Sequence, residues 1–129
     1  MLKIKEARAT LPAQDLGRAR TFYEGKLGLK AVEESPDGGV VYDAGATRFL
    51  VFPSRGKASG DHTQIGFQVE DITVAVRDMK DKGVVFEEYN FPDFKTEDSI
   101  LSFGDDKTAW FKDTEGNLLG LVQRVAVTA

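Results

Sequence analysis

The stretch IGFQVEDI at residues 65–72 repeats the pattern of ATLPAQDL at residues 9–16. In each stretch a strand-like apolar run leads into an aspartate, Asp15 or Asp71, and these aspartates stand about 56 residues apart. An aspartate at this place can cap a helix, because its carboxylate accepts hydrogen bonds from the unpaired backbone N–H groups of the first turn. The repetition indicates that one supersecondary unit occurs twice in the chain.

Both aspartates are followed by apolar side chains at intervals of three and four residues, which is typical of a helix with one buried face. A glycine then marks the end of each helix, since glycine readily adopts the left-handed conformation found there. The two series are Leu16, Ala19, Phe22, Tyr23 and Leu27 ending at Gly28, and Ile72, Ala75, Val76 and Met79 ending at Gly83.

Strand patterns separated by turn residues follow each predicted helix. The sequence therefore predicts one α+β domain over residues 1–129, in which a mixed sheet curves around a shared interior and helices cover the outside. Module one is expected at about residues 4–53, a polar linker at about 54–61, and module two at about 62–126. The predicted strands after the helices are 30–34, 39–43 and 48–52 in module one, and 85–89, 99–103, 108–112 and 118–124 in module two.

Composition excludes several classes of function. The formal net charge of -4 disfavours nucleic acid and anionic membranes as partners, because both attract an excess of lysine and arginine. The absence of cysteine rules out disulfides, thiolate metal sites and cysteine nucleophiles. The sequence also has no apolar run of the kind found in a signal peptide or a membrane span. We therefore expect a cytoplasmic protein.

Three stretches of the chain together resemble the vicinal oxygen chelate superfamily. This superfamily includes glyoxalase I, extradiol dioxygenases, fosfomycin resistance proteins and bleomycin resistance proteins. The resemblance covers nearly the whole chain and implies paired βαβββ modules that form a cupped sheet with a ligand site inside the cup. It also implies that the modules pair either within one chain or across a dimer. The stretches are LPAQDLGRARTFYEGKLGL, IGFQVEDITVAVRDMKDKGVVF and AWFKDTEGNLLGLVQ.

The resemblance further implies four positions at which metal-using relatives place their ligands, usually histidine and glutamate. In this chain they correspond to Arg8, Val51, Gln64 and Gly120. Arg8 is a permanent cation, and Val51 has no donor atom. Gln64 can supply one amide oxygen, whereas a divalent ion requires several ligands. Gly120, an unusual residue in a strand interior, stands where such a relative carries a carboxylate. We expect no metal ion and no other cofactor.

Polar candidates for ligand binding surround the first of these positions. Arg8 can hold a carboxylate, phosphate or enolate through paired hydrogen bonds, or it can simply pair with Glu6. His62, the single histidine, is a candidate general base, but it is also typical of an exposed linker residue. Thr10 and Gln64 suit the orientation of a polar ligand, or they satisfy each other.

Aromatic residues are the candidates for the cup wall. Phe49 is expected on the same face as Val51, inside the cup. Trp110 and Phe111 point to opposite sides of one strand, so only one of them faces the cup, and the sequence does not say which. The turn-rich segment 87–99 is expected to form a flap over the cup, the alternative being a surface connection.

These features favour a metal-independent protein that binds a small organic molecule, similar to the bleomycin resistance type and its sequestration of a drug or metabolite. The alternatives are a glyoxalase-like lyase, isomerase or dioxygenase, and a regulatory or accessory binding module. The ligand is expected to be amphipathic, with an acidic or strongly polar end for Arg8. A homodimer is expected, because open curved sheets leave strand edges exposed.

Overall fold

The computed structural model describes residues 2–124, which form two four-stranded mixed sheets. In spatial order the sheets are β1-β4-β3-β2 and β5-β10-β9-β8, so the second repeats the arrangement of the first. β1 is parallel to β4 and β5 is parallel to β10, while the other neighbours are antiparallel. The strands are β1 (Ala9–Ala13), β2 (Ala31–Glu34), β3 (Val40–Ala44), β4 (Thr47–Pro53), β5 (Thr63–Gln68), β6 (Asn90–Phe91), β7 (Phe94–Lys95), β8 (Leu101–Phe103), β9 (Asp106–Lys112) and β10 (Leu118–Gln123).

The helices begin and end where the sequence predicts. The carboxylates of Asp15 and Asp71 each accept a hydrogen bond from the backbone N–H three residues later, at 3.0 and 3.1 Å. Gly28 and Gly83 have φ angles of 68° and 88°, which is the left-handed conformation expected after a helix. No helix within residues 2–124 is long and apolar enough to cross a membrane. The helical elements are α1 (Leu16–Arg20), its π-helical continuation (Thr21–Lys26) and α2 (Ile72–Asp81).

The chain between α2 and β8 differs from the prediction. Residues 85–89 were expected to form a strand, but only Phe86 makes an isolated bridge, to Phe111 of β9. The two short strands β6 and β7 form a separate hairpin instead. The predicted strand 118–124 ends at Gln123, and the last predicted residues of module two, 125–126, lie outside the described residues.

Each sheet has one face packed against the helices, which we call the core face, and an opposite face, which we call the open face. In β4 the core-face residues Phe49 and Val51 are each 1% exposed. The open face of the same sheet carries Thr10 and Leu50, which are register partners on β1 and β4. Strand alternation separates the two sets, so the helices lie on the side opposite the open faces.

The core faces of the two sheets meet in a single hydrophobic core. The rings of Phe49 in the first sheet and Phe67 in the second lie 5.7 Å apart. Phe22 of the π-helical segment contacts Phe111 of the second sheet at 6.3 Å, while its neighbour Tyr23 contacts Phe49 of the first sheet at 5.7 Å. Because the core faces are turned toward each other, the open faces of one chain are directed away from each other.

A buried glutamate in the β9–β10 turn joins module two to module one. One carboxylate oxygen of Glu115 accepts hydrogen bonds from the backbone N–H groups of Gln14 and Asp15, at 2.8 and 2.9 Å. The other oxygen accepts a hydrogen bond from the Arg18 guanidinium at 2.8 Å, and the Glu115 side chain is 1% exposed. This carboxylate therefore holds the junction between β1 and α1 against the turn.

The same turn contributes a second buried polar contact. The hydroxyl of Tyr23 donates to the carboxylate of Asp113 at 2.5 Å, and the amide of Asn117 donates to the carbonyl of Pro12 at 3.0 Å. Burial, together with the neighbouring Asp113 charge, raises the pKa of the Tyr23 hydroxyl well above its usual range, so it remains a donor. These bonds satisfy polar groups that the inter-module packing removes from water.

The Glu115 contact predicts a specific dependence of stability on pH. Burial raises the pKa of this carboxyl, but hydrogen bonds from Arg18, Asp15 and Thr114 outweigh burial and lower the pKa to about 2 from its ordinary value of 4.5. Because the pKa is lower in the folded state, the stabilisation is complete above about pH 4.5 and is lost as the pH falls toward 2.

We therefore expect Glu115→Gln to lower the free energy of unfolding at pH 7 by about 1.5–3 kcal/mol, the range for hydrogen bonds to charged groups. The decline in stability below pH 4.5 should also be shallower in this variant than in the wild type. Urea denaturation across this pH range measures both effects, with the exposed Glu33→Gln as a control. Equal stability of Glu115→Gln and wild type at pH 7 would contradict the assignment.

Candidate functional site

The open face of the second sheet is centred on Gly120. Its register partner on β9 is Trp110, whose indole N–H donates a hydrogen bond to the hydroxyl of Thr63 at 3.0 Å. A Cβ atom added at Gly120 would lie 3.5 Å from the Thr63 methyl group and 3.8 Å from the indole ring. The space beside Gly120 is therefore bounded by Thr63 and Trp110 and has room for little more than a methyl group.

This geometry shows which of the two neighbouring aromatic residues on β9 faces outward. Phe111 is fully buried on the core face, where its ring contacts Phe22 and Phe86. Trp110 lies on the open face and is half-buried. Strand alternation predicted that these two side chains point to opposite faces of the sheet. Because the hydrophobic core lies on one face and holds Phe111, Trp110 lies on the other.

The segment 87–99, predicted as a flap, covers part of this open face. Tyr89 and Phe94 place their ring centroids 5.4 and 5.3 Å from the indole of Trp110, and 5.4 Å from each other. We call Tyr89, Phe94 and Trp110 the aromatic wall. Sequence reasoning missed Tyr89 and Phe94 as site residues, although the aromatic content of the segment was the available signal.

Gln64 and His62 lie at the edge of the second sheet. Thr63 and Ile65 of β5 pair with two consecutive residues of β10. Gln64, between them, has no partner in this register and is the extra residue of a β-bulge. The side-chain oxygen of Gln64 is buried and has no hydrogen-bond partner within residues 2–124. His62 is exposed just before β5, and Thr63 rather than His62 contacts Trp110.

Arg8 and Thr10 belong to the open face of the first sheet. Thr10 is exposed on β1, and Arg8 precedes the strand by one residue. The Arg8 guanidinium lies 3.3 Å from the carboxylate of Glu6, and its side chain remains 31% exposed. It lines a small polar pocket with Asp43 and Arg48, themselves paired at 2.8 Å. The pair with Glu6 is solvent-exposed and of the weak, screened kind that an incoming anion can displace.

The expectation that Phe49 and Val51 line the cup is wrong. Both are on the core face, where the ring of Phe49 contacts Tyr23. Leu50 and Phe52 occupy the open face of β4 beside Thr10, so the sequence assignment was shifted by one residue. The corrected residues also have no donor atom for a metal ion.

A cleft on the other side of the second sheet was not anticipated. It has a volume of about 650 Å³ and lies between the two modules, next to α2. Its walls are mainly apolar, with Ile65 and Phe67 from β5, Met79 from α2 and Leu27 from the end of the first helical segment. Ile65 and Phe67 point to the core side of β5, and the cleft borders the small polar pocket of Arg8, with which it shares Gly45, Ala46 and Thr47.

The sequence comparison identifies the family. Residues 6–121 match the profile of the Glyoxalase/Bleomycin resistance protein/Dioxygenase superfamily. The chain belongs to this superfamily. No curated protein sequence matches the chain significantly.

Solved structures of the superfamily share the fold at low sequence identity. UcmS2 is 16% identical, with a TM-score of 0.74, over 94% of this chain and 98% of its own. FosX, a fosfomycin resistance protein from Listeria monocytogenes, is 13% identical, with a TM-score of 0.72 and 96% of each chain covered. Lactoylglutathione lyase from Agrobacterium tumefaciens is 16% identical, with a TM-score of 0.69, over 94% of this chain and 95% of its own. At these identities the likeness concerns the fold alone.

The residues of this superfamily member do not fit the metal site of metal-using relatives. The four corresponding positions carry Arg8, Leu50 or Phe52, Gln64 and Gly120, which offer one neutral amide oxygen and one guanidinium. Within residues 2–124 no group of three or more histidine, cysteine, aspartate or glutamate side chains is arranged to hold a metal ion. A divalent cation requires several anionic or neutral donors and is repelled by a guanidinium.

The packing over Gly120 predicts how substitutions there behave. We expect Gly120→Ala to be tolerated, because the added Cβ makes ordinary contacts of 3.5 Å or more. Gly120→Glu should displace the indole from Thr63, shift the fluorescence of the single tryptophan to longer wavelength, and lower stability by about 1–3 kcal/mol. Emission spectra and thermal denaturation of both variants test this. Unchanged emission in Gly120→Glu would show that the indole does not lie over this residue.

Proposed function

We propose that this superfamily member binds a small amphipathic organic molecule without a metal ion. The observation that carries the proposal is the set of side chains on the open faces, which combines a guanidinium, hydroxyl groups and aromatic rings instead of metal ligands. Such a mixture suits binding and orientation of an organic ligand, with apolar surface for its body and polar groups for one end. The protein would act by sequestering a drug or a metabolite.

Arg8 supports an acidic or strongly polar end for the ligand. A guanidinium forms paired hydrogen bonds to a carboxylate or phosphate, and these bonds are stronger than those between neutral groups. The neighbouring Thr10 offers a hydroxyl, and Leu50 and Phe52 offer apolar surface on the same face. The ion pair with Glu6 would open when the ligand binds.

A homodimer would complete the cup. The open faces of one chain are directed away from each other, so Arg8 and Trp110 of the same chain cannot contact one ligand together. β1 and β5 are edge strands, each with one side unpaired by the strands of residues 2–124. A second chain related by two-fold symmetry can contact both of these edge strands. The first sheet of one chain would then lie opposite the second sheet of its partner. Two equivalent cups would result.

The alternative function is that of a glyoxalase-like lyase, isomerase or dioxygenase. The buried, unpaired oxygen of Gln64 is the observation that favours it, because an unsatisfied polar atom is often retained for a ligand or reaction. An enzyme of this kind would need an acid or base, and the exposed His62 is the only histidine in the chain. Turnover of a bound compound, abolished in His62→Ala, would favour catalysis over sequestration.

The first prediction from this proposal concerns metal content. Protein purified without chelators should contain well below one equivalent of zinc, nickel, iron or manganese per chain, since the four family positions supply one weak donor. Restoring donors by substituting Arg8→His and Gly120→Glu together should raise zinc uptake above that of either single variant. Elemental analysis measures both. About one metal ion per wild-type chain would contradict the proposal.

The second prediction concerns Arg8, with 2-naphthoate as an amphipathic acidic probe. Arg8→Ala should weaken binding of the probe by roughly 10- to 100-fold, which corresponds to the loss of a charge-assisted hydrogen bond. Arg77→Ala, which removes an exposed arginine from α2, is the matched control and should leave affinity unchanged. Isothermal titration calorimetry gives the dissociation constants. Equal affinity of Arg8→Ala and wild type would remove Arg8 from the site.

A further inference from the structure

The three rings of the aromatic wall form a compact cluster on the open face, with each pair of ring centroids 5.3 to 5.4 Å apart. Trp110 lies over Gly120 and is fixed by its hydrogen bond to Thr63. The ring of Phe94 is inclined by 37° to the indole, while Tyr89 stands nearly perpendicular to the indole at 84°. Phe94 remains 37% exposed, so the cluster presents part of an aromatic ring to solvent.

The carboxylate of Glu88 fixes the hairpin that carries Phe94. It accepts hydrogen bonds from the hydroxyls of Thr96 and Ser99, at 2.7 and 2.8 Å, and from the backbone N–H of Ser99 at 3.1 Å. The hydroxyl of Thr96 also accepts a hydrogen bond from the backbone N–H of Tyr89 at 2.9 Å. These bonds join the two ends of the hairpin, so the positions of Tyr89 and Phe94 depend on Glu88.

The backbone beside this contact is strained. Asp98 and Ser99 have φ angles of 50° and 72°, which non-glycine residues seldom adopt. Ser99 is nevertheless only 1% exposed and is held by Glu88 through two hydrogen bonds. Strain of this kind persists where the surrounding structure overdetermines the conformation, and it clusters at ligand sites. The hairpin is therefore held in one defined conformation over the open face.

From this geometry we propose that the aromatic wall is the subsite for a planar aromatic group of the ligand, and that Glu88 is the positioning residue that holds Phe94 over Trp110. The inference rests on the proposed function, since it specifies the apolar part of the ligand that Arg8 holds by its acidic end. Planar rings stack in an offset or edge-to-face manner on aromatic side chains, whereas saturated rings lack this interaction. A wall already held in place loses little freedom on binding.

The test compares two acids that share charge and size but differ in planarity, 2-naphthoate and decahydro-2-naphthoate. The wild-type protein should bind the planar acid roughly 5- to 10-fold more tightly. Phe94→Leu, which keeps an apolar side chain but removes the ring, should abolish this preference. Phe103→Ala is the matched control, because it also removes a phenylalanine ring, lies on β8 at 81% exposure and should leave the preference intact.

Glu88 is tested by the same ratio of affinities. Glu88→Ala should reduce the preference for 2-naphthoate toward that of Phe94→Leu, while Glu88→Gln should retain part of it, because the amide oxygen still accepts a hydrogen bond. A purely structural role for Glu88 would lower the melting temperature and leave the ratio unchanged. That result would overturn the positioning role.

The outcomes separate this inference from the proposed function. Equal affinity of wild type for the two acids, with Arg8→Ala weakening both, would overturn the aromatic subsite and leave the function in place. An unchanged preference in Phe94→Leu would likewise overturn the subsite. Failure of both acids to bind at millimolar concentration would overturn the subsite and the proposed function together.

Discussion

The buried carboxylate of Glu115 is the contact on which the arrangement of the two modules depends. Its oxygens bind two backbone N–H groups at the end of β1 and the guanidinium of Arg18 at the start of α1. Docking of this junction against the β9–β10 turn brings Phe22 to Phe111, and so closes the core between the sheets. With the core faces turned inward, the two open faces are directed outward.

The packing on the open face of the second sheet accounts for the glycine in the interior of β10. At Gly120 the absent side chain makes room for the indole of Trp110 and its hydrogen bond to Thr63. A carboxylate at this position would compete with the indole for that space. A small residue at this position is therefore explained by the packing of Thr63 and Trp110 beside it.

Local sequence patterns predicted which segments form helices and strands. They did not always predict which face of a strand is buried. The capping aspartates and terminal glycines were predictable, because each acts on its own turn of helix. The face of β4 was not, since residues 49–52 are apolar throughout and a strand with two apolar faces does not reveal its register. The hairpin was also hidden, because its conformation depends on contacts between Glu88 and residues eight and eleven positions away.

The most direct test of the cup across two chains is complementation between two defective variants. Arg8→Ala and Gly120→Glu are produced separately and by co-expression, and binding of 2-naphthoate is measured by equilibrium dialysis at a concentration at which neither variant binds alone. If each cup takes Arg8 from one chain and the aromatic wall from the other, random pairing restores about one cup in four. Absence of recovery in the co-expressed sample, with mixed dimers shown to be present, would contradict the account.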